Sequence, residues 1–92
     1  MKIEKLIKEN KGSIIDVRTP MEFSAGHVEG SKNIPLTEIT SRMDELKQLP
    51  SPLILCCASG MRSKQVEGFL KSQKIDCVNA GSWLEINYIK FN

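Results

Sequence analysis

The sequence predicts an α/β domain in which a small central parallel sheet carries helices on both faces, and three observations lead there. Short apolar, β-branched runs alternate along the chain with segments of helical spacing, the order that builds parallel strands joined by right-handed crossovers. Leu53-Ile54-Leu55-Cys56 is an unbroken apolar run between turn signals, the mark of a strand buried on both faces. The 92 residues suffice for one such core and leave too little for a second, so residues 1–92 are expected to form a single domain.

The elements follow in order. Ile3, Leu6 and Ile7 share one face of an opening helix that Gly12 stops. Residues 13–18 are compact and β-branched and read as a buried strand. Thr19-Pro20-Met21-Glu22 matches a capping box, with Thr19 as N-cap, Pro20 in the first helical position and Glu22 reaching back, so one or two helical turns run to Gly26. Residues 31–34 form a short strand that Pro35 ends. Thr37 then caps a helix with Ile39, Met43, Leu46 and Leu49 on one face, closed by Pro50 and Pro52. The central strand at 53–56 delivers Cys57, a third helix from Ser63 carries Val66, Phe69 and Leu70, and residues 75–78 make a last short strand.

Composition narrows the function. Hydrophobic residues are 40% and charged residues 26% of the chain, the balance of an ordinary globular domain. A net charge of +2 with scattered basic residues argues against nucleic acid as the main partner. No run approaches the ~20 apolar residues of a membrane span, and no signal-peptide core stands at the N-terminus, which predicts a cytoplasmic protein. Cys56, Cys57 and Cys77 are odd in number and read as free thiols. His27 is the single histidine and no Cys-x-x-Cys lies near it, so no metal site is expected.

In such sheets ligands bind beyond the carboxyl ends of the strands, and Cys57 falls there. A strand that passes through a short loop with Gly60 into a helix gathers unpaired backbone N–H groups around one point. That field favours a cysteine thiolate over its thiol and makes Cys57 a nucleophile. Arg62 brings a planar, permanently charged fork suited to a sulfonate or sulfite. Cys56 reads as a buried strand residue and Cys77 as a core residue.

Three stretches resemble the rhodanese-like family, specifically its single-domain sulfurtransferases. Residues 16–35, Asp16-Val17-Arg18 through Gly26-His27-Val28 to Asn33-Ile34-Pro35, follow the family's first signature. Cys57-Ala58-Ser59-Gly60-Met61-Arg62-Ser63 resembles its active-site loop, and Val78-Asn79-Ala80-Gly81-Ser82-Trp83 its later glycine pair and tryptophan, with Ser82 where a second glycine is common. The resemblance implies a three-layer domain around a five-stranded parallel sheet. It implies thiosulfate sulfurtransferase chemistry, in which Cys57 takes sulfane sulfur as a persulfide and hands it to cyanide or a thiol. The amides of Ala58, Ser59, Gly60 and Met61 would cradle the outer sulfur and Arg62 would steady the substrate. No cofactor is implied. The partners would be a small sulfur-containing anion or a protein persulfide as donor, and a thiol as acceptor. A monomer is the default.

Supporting roles are open at five positions. Asp16 and Arg18 form an ion pair, either beneath the site or at the surface, and Arg18 is a candidate to touch substrate. Ser63 either hydrogen-bonds the thiolate or caps a helix. His27 suits a hydrogen-bonded turn, and Trp83 a wall of pocket or core. The stretch after Trp83 predicts a reduced or missing closing helix. Three rival functions compete with sulfur transfer. Counted from Cys56, the loop has the Cys-x5-Arg spacing of a cysteine phosphatase using Cys56 and Arg62, but Gly60 falls three after Cys57 and the loop has no general-acid aspartate. A noncatalytic rhodanese-like module that binds a partner protein is the second, and there the cysteine is typically absent. Thiol redox signalling through the adjacent Cys56 and Cys57 is the third, disfavoured by the demanding geometry of a disulfide between neighbours.

Overall fold

The computed structural model describes residues 2–92. In chain order it contains α1 (Lys2–Lys8), β1 (Ser13–Asp16), α2 (Pro20–Ala25), β2 (Lys32–Asn33), two 3-10 turns (Leu36–Glu38 and Thr40–Arg42), α3 (Met43–Gln48), β3 (Leu53–Cys57), α4 (Met61–Ser72), β4 (Cys77–Ser82) and α5 (Trp83–Lys90). The strands pair in parallel in the order β2-β1-β3-β4. The five strands implied by the resemblance are four among the described residues. The segments at either end of the described chain are helical, with Ile3, Leu6 and Ile7 in α1 and Ile86 and Ile89 in α5 at three- and four-residue spacing, so neither supplies a fifth strand.

All five residues of β3 are buried, as a central parallel strand requires. Side chains alternate across it. Leu53, Leu55 and Cys57 join Ile15, Val17, Leu46, Val66 and Leu70 on one face, under α3 and α4. Ile54 and Cys56 join Ile7, Val28 and Ile86 on the other, under α1 and α5. Cys56 and Cys57 therefore belong to opposite layers although they are adjacent in sequence.

Three sequence expectations are corrected. The continuous helix expected after Thr37 is broken into the two 3-10 turns and α3, and Thr37 lies inside the first turn instead of capping. Ile39, Met43, Leu46 and Leu49 still enter one core cluster, so the apolar spacing marks the buried face and not the backbone type. Arg42 stands at the break with φ −117°, ψ 26°, and its guanidinium bonds Glu38, Glu45 and the Asn33 carbonyl across the kink. The last strand runs to Ser82, well past the expected 75–78, because β3 pairs with it as far as Cys57 through a register shift at Leu55/Cys56. The closing helix is present as the eight residues of α5, with the Ser82 hydroxyl accepting the Leu84 N–H at its start. No described helix is long and apolar enough to cross a membrane.

Candidate active site

Cys57 is the last residue of β3, and Gly60 turns the chain into α4 at φ 99°, a left-handed conformation that L side chains rarely adopt. A Cβ on Gly60 would stand 3.1 Å from Gly81 Cα, so this loop lies tightly on the end of β4. The turn aims the Gly60 N–H at Cys57 Sγ, 3.0 Å away. Ser63 is fully buried in the first turn of α4, with its Oγ 3.4 Å from the same sulfur. Ser63 thus sits beside the thiol, and Gly60 occupies the N-cap position.

Burial is the largest single influence on the Cys57 thiol and works to raise its pKa. The Ser63 hydroxyl and the backbone amides of Ser63, Gly60 and Ser59 together outweigh it, and the net shift is downward. Cys56 shows the contrasting case: burial, with the Asp16 carboxylate adding to it, pushes that thiol far above the ordinary range. Cys77 is also raised, by burial first and then by Glu67. All three thiols are free. Of the three, only Cys57 has its thiolate favoured by its surroundings. Ser63→Ala should move the midpoint of the pH profile for Cys57 alkylation by a small haloacetamide to higher pH, since the strongest lowering contact is lost. An unmoved midpoint would assign the shift to the amides alone.

Asn79, in β4, is the residue that ties this loop together, and sequence reasoning gave it no role. Its Oδ1 accepts from the Ser63 hydroxyl at 2.7 Å and from the Gly81 N–H at 2.9 Å, while its Nδ2 donates to the Gly60 carbonyl at 3.2 Å. Its own N–H donates to the Glu67 carboxylate on α4. The signal available was its place in the Val78–Trp83 stretch, but nothing local says that an asparagine there reaches across to residues 60 and 63.

Arg62 is exposed to about a third and makes a bidentate pair with Glu22 of α2, its Nη1 and Nη2 at 2.7 and 3.0 Å from the two carboxylate oxygens. Glu22 also completes the predicted capping box, with its Oε1 accepting from the Thr19 N–H at 3.1 Å and the Thr19 hydroxyl also donating to it. The Arg62 contact first, and the Thr19 amide second, hold the Glu22 carboxyl down at about 2. Ala58 and Ser59 are exposed in the loop and Met61 stands 75% exposed beside Arg62.

The ion pair of Asp16 and Arg18 is buried, not at the surface. Arg18 Nε and Nη2 both bond the Asp16 carboxylate, at 2.9 and 2.8 Å for the shortest contacts, and both side chains are almost wholly buried. Arg18 also donates from Nη2 to the Gly26 carbonyl, and its Cζ lies 4.7 Å from the centre of the Trp83 ring. Asp16 pairs in register with Cys56, so this network sits on the Cys56 side of the sheet, and Arg18 braces the end of α2. His27 stacks on Phe23 and its Nδ1 meets the Phe23 carbonyl at 2.7 Å, the turn role expected of it.

The sequence profile described as a rhodanese-like domain matches residues 2–87. The chain is similar to "Uncharacterized protein YqhL" of Bacillus subtilis, 42% identical over 58% of this chain and 41% of that protein. It is also similar to "Thiosulfate sulfurtransferase GlpE" of Pseudoalteromonas translucida, 34% identical over 71% of this chain and 61% of that one. In each case the match spans less than two thirds of the curated relative's length. Among solved structures, a rhodanese-like domain protein from Staphylococcus aureus superposes with a TM-score of 0.78 at 29% identity, covering 92% of this chain and 83% of that one. The four-stranded parallel sheet between two helical layers is the rhodanese fold, and the chain belongs to the rhodanese-like domain family.

Proposed function

We propose that the protein is a sulfurtransferase that carries sulfane sulfur as a persulfide on Cys57. The observation that carries this reading is the Gly60 N–H aimed at a sulfur whose pKa lies below the ordinary thiol value, with Ser63 Oγ 3.4 Å from the same sulfur. Donors that stabilise a thiolate at the attacking sulfur are equally suited to the terminal sulfur of a persulfide, which is anionic as well. In the cycle Cys57 Sγ attacks the outer sulfur of a donor, the donor's S–S bond breaks, and its remaining sulfur leaves with the bonding pair. An incoming thiol then takes the sulfur in the reverse sense. Ala58, Ser59 and Met61 complete the amide cradle, and the buried Asp16–Arg18 pair braces the end of α2 through the Gly26 carbonyl. Cys57 has no exposed surface, so loading requires the surroundings of its sulfur to open.

The phosphatase reading is weaker, since Cys56 packs on the opposite face of the sheet from Cys57 among Ile7, Val28 and Ile86, and its thiol is held protonated. A partner-binding module would need neither the lowered thiol pKa nor the convergence on it. Intact mass after incubation with thiosulfate or a small persulfide tests the proposal. The wild type and Cys56→Ser should each gain one sulfur, about 32 Da, which cyanide removes, and Cys57→Ser should gain none. Loading that survives in Cys57→Ser would sink the assignment.

A further inference from the structure

The loop from Cys57 to Ser63 contains a single charged side chain, Arg62, and that charge is already spoken for. Both Arg62 terminal nitrogens are bonded to Glu22, whose carboxyl titrates at about 2 and is therefore ionised at any working pH. The other guanidinium nearby, Arg18, is buried and matched by Asp16. Two cations are cancelled by two carboxylates, so a Cys57 thiolate leaves the site with one net negative charge. Lys64, the next cation along α4, is exposed to solvent, where its field is screened. Met21 and Met61, the residues immediately before Glu22 and Arg62, are 82% and 75% exposed.

We propose that the Glu22–Arg62 pair is the donor-specificity element of this site: by occupying the one cation of the loop it selects sulfane sulfur carried on a thiol as a persulfide and disfavours the free dianion thiosulfate. The proposal rests on the sulfur-transfer reading above. The favoured step balances as R–S–SH plus the Cys57 thiolate giving the Cys57 persulfide anion plus R–SH. The Cys57 Sγ–S bond forms, the donor S–S bond breaks, and the donor's outer proton ends on its departing sulfur. With thiosulfate the same attack expels sulfite, and a dianion must approach a site that is itself negative and offers no free guanidinium fork.

The test is the second-order rate of sulfur loading on Cys57, read by mass, for wild type and Glu22→Gln. Glutamine is the other residue that serves at this position of a capping box, so α2 keeps its start while the charge goes. Matching melting curves would verify this. Thiosulfate, cysteine persulfide and a short peptide with one persulfidated cysteine are the donors, the last two separating a small-molecule source from a polypeptide one. Glu22→Gln should speed loading from thiosulfate about tenfold and change loading from either persulfide less than about threefold, the size expected when one charge facing a dianion is removed. Raising the salt should speed thiosulfate loading of the wild type and should not speed that of Glu22→Gln, because screening relieves only the like-charge approach.

If Glu22→Gln leaves the thiosulfate rate and its salt slope unchanged, or lowers the rate, while persulfides still load Cys57, the specificity role is overturned and the sulfur-transfer reading stands. If no donor loads wild-type Cys57, the sulfur-transfer reading itself falls and takes this one with it.

Discussion

Asp16→Ala should destabilise the fold by about 3–5 kcal/mol, the range for leaving one member of a buried ion pair without its partner. The Arg18 side chain is only 5% exposed and directs three of its hydrogen bonds at that carboxylate, with a fourth from its backbone N–H. Without Asp16 the guanidinium keeps the Gly26 carbonyl and the Trp83 ring, which do not neutralise it. Domains of this size have about 5–15 kcal/mol of total stability, so the loss is a large share of it. A shift of the urea midpoint with an unchanged slope is the expected observation. Replacing both residues together, Asp16→Ala with Arg18→Met, should recover part of the loss, since the buried charge goes too. A single-variant cost under about 1 kcal/mol, the value of a surface pair, would mean that water reaches the guanidinium once Asp16 is gone.

This pair also shows how far the sequence could be read. Its existence was visible in the signature stretch, but its depth was not, because two charged residues two positions apart at a strand end say nothing about what covers them. The same limit recurs elsewhere. Thr19 to Glu22 was legible as a capping box because all its bonds close within four residues, and each of them is present. The second bond of Glu22, to Arg62, spans 40 positions and leaves no local trace. The central strand was legible from four apolar residues in a row. Its partner β4 was cut short because Asn79, Gly81 and Ser82 have low strand propensity, and backbone pairing with β3 overrides that preference. The chain around Arg42 has the apolar spacing of one helix, and the bonds of its guanidinium to two carboxylates, Glu38 and Glu45, and to the Asn33 carbonyl hold a kink that periodicity cannot register.

Cys57 and its loop were identified because strand, small residues, glycine and arginine fall in sequence, and chemistry follows from that order. Asn79 was missed because its contribution is made from the neighbouring strand. It takes three bonds to hold Gly60, Ser63 and Gly81 in one arrangement, and without them the same loop sequence would not aim an amide at the sulfur and set a hydroxyl oxygen beside it. The position of the Cys57 thiol is therefore written locally, and the lowering of its pKa is written in the packing of β4 against the start of α4.

That division leads to the second large expectation. Gly60→Ala should lower the rate of sulfur loading on Cys57 by about 10²-fold, the usual cost of losing one preorganised donor at a developing anion. The left-handed φ of 99° is strained for alanine, and its Cβ would press on Gly81 Cα at 3.1 Å, a backbone atom that no rotamer change can move away. The loop must shift, which turns the Gly60 N–H away from the sulfur and strains the Asn79 bond to the Gly60 carbonyl. The fold itself should lose about 1–3 kcal/mol, the cost of a residue forced into a sparsely populated backbone region, so the protein remains folded for the measurement. The pH profile separates the two possible origins of the lower rate. If the amide stabilises the thiolate, the midpoint for Cys57 alkylation rises in Gly60→Ala along with the slower loading. Slower loading at an unchanged midpoint would instead put the role of Gly60 in shaping the path by which a donor reaches the sulfur.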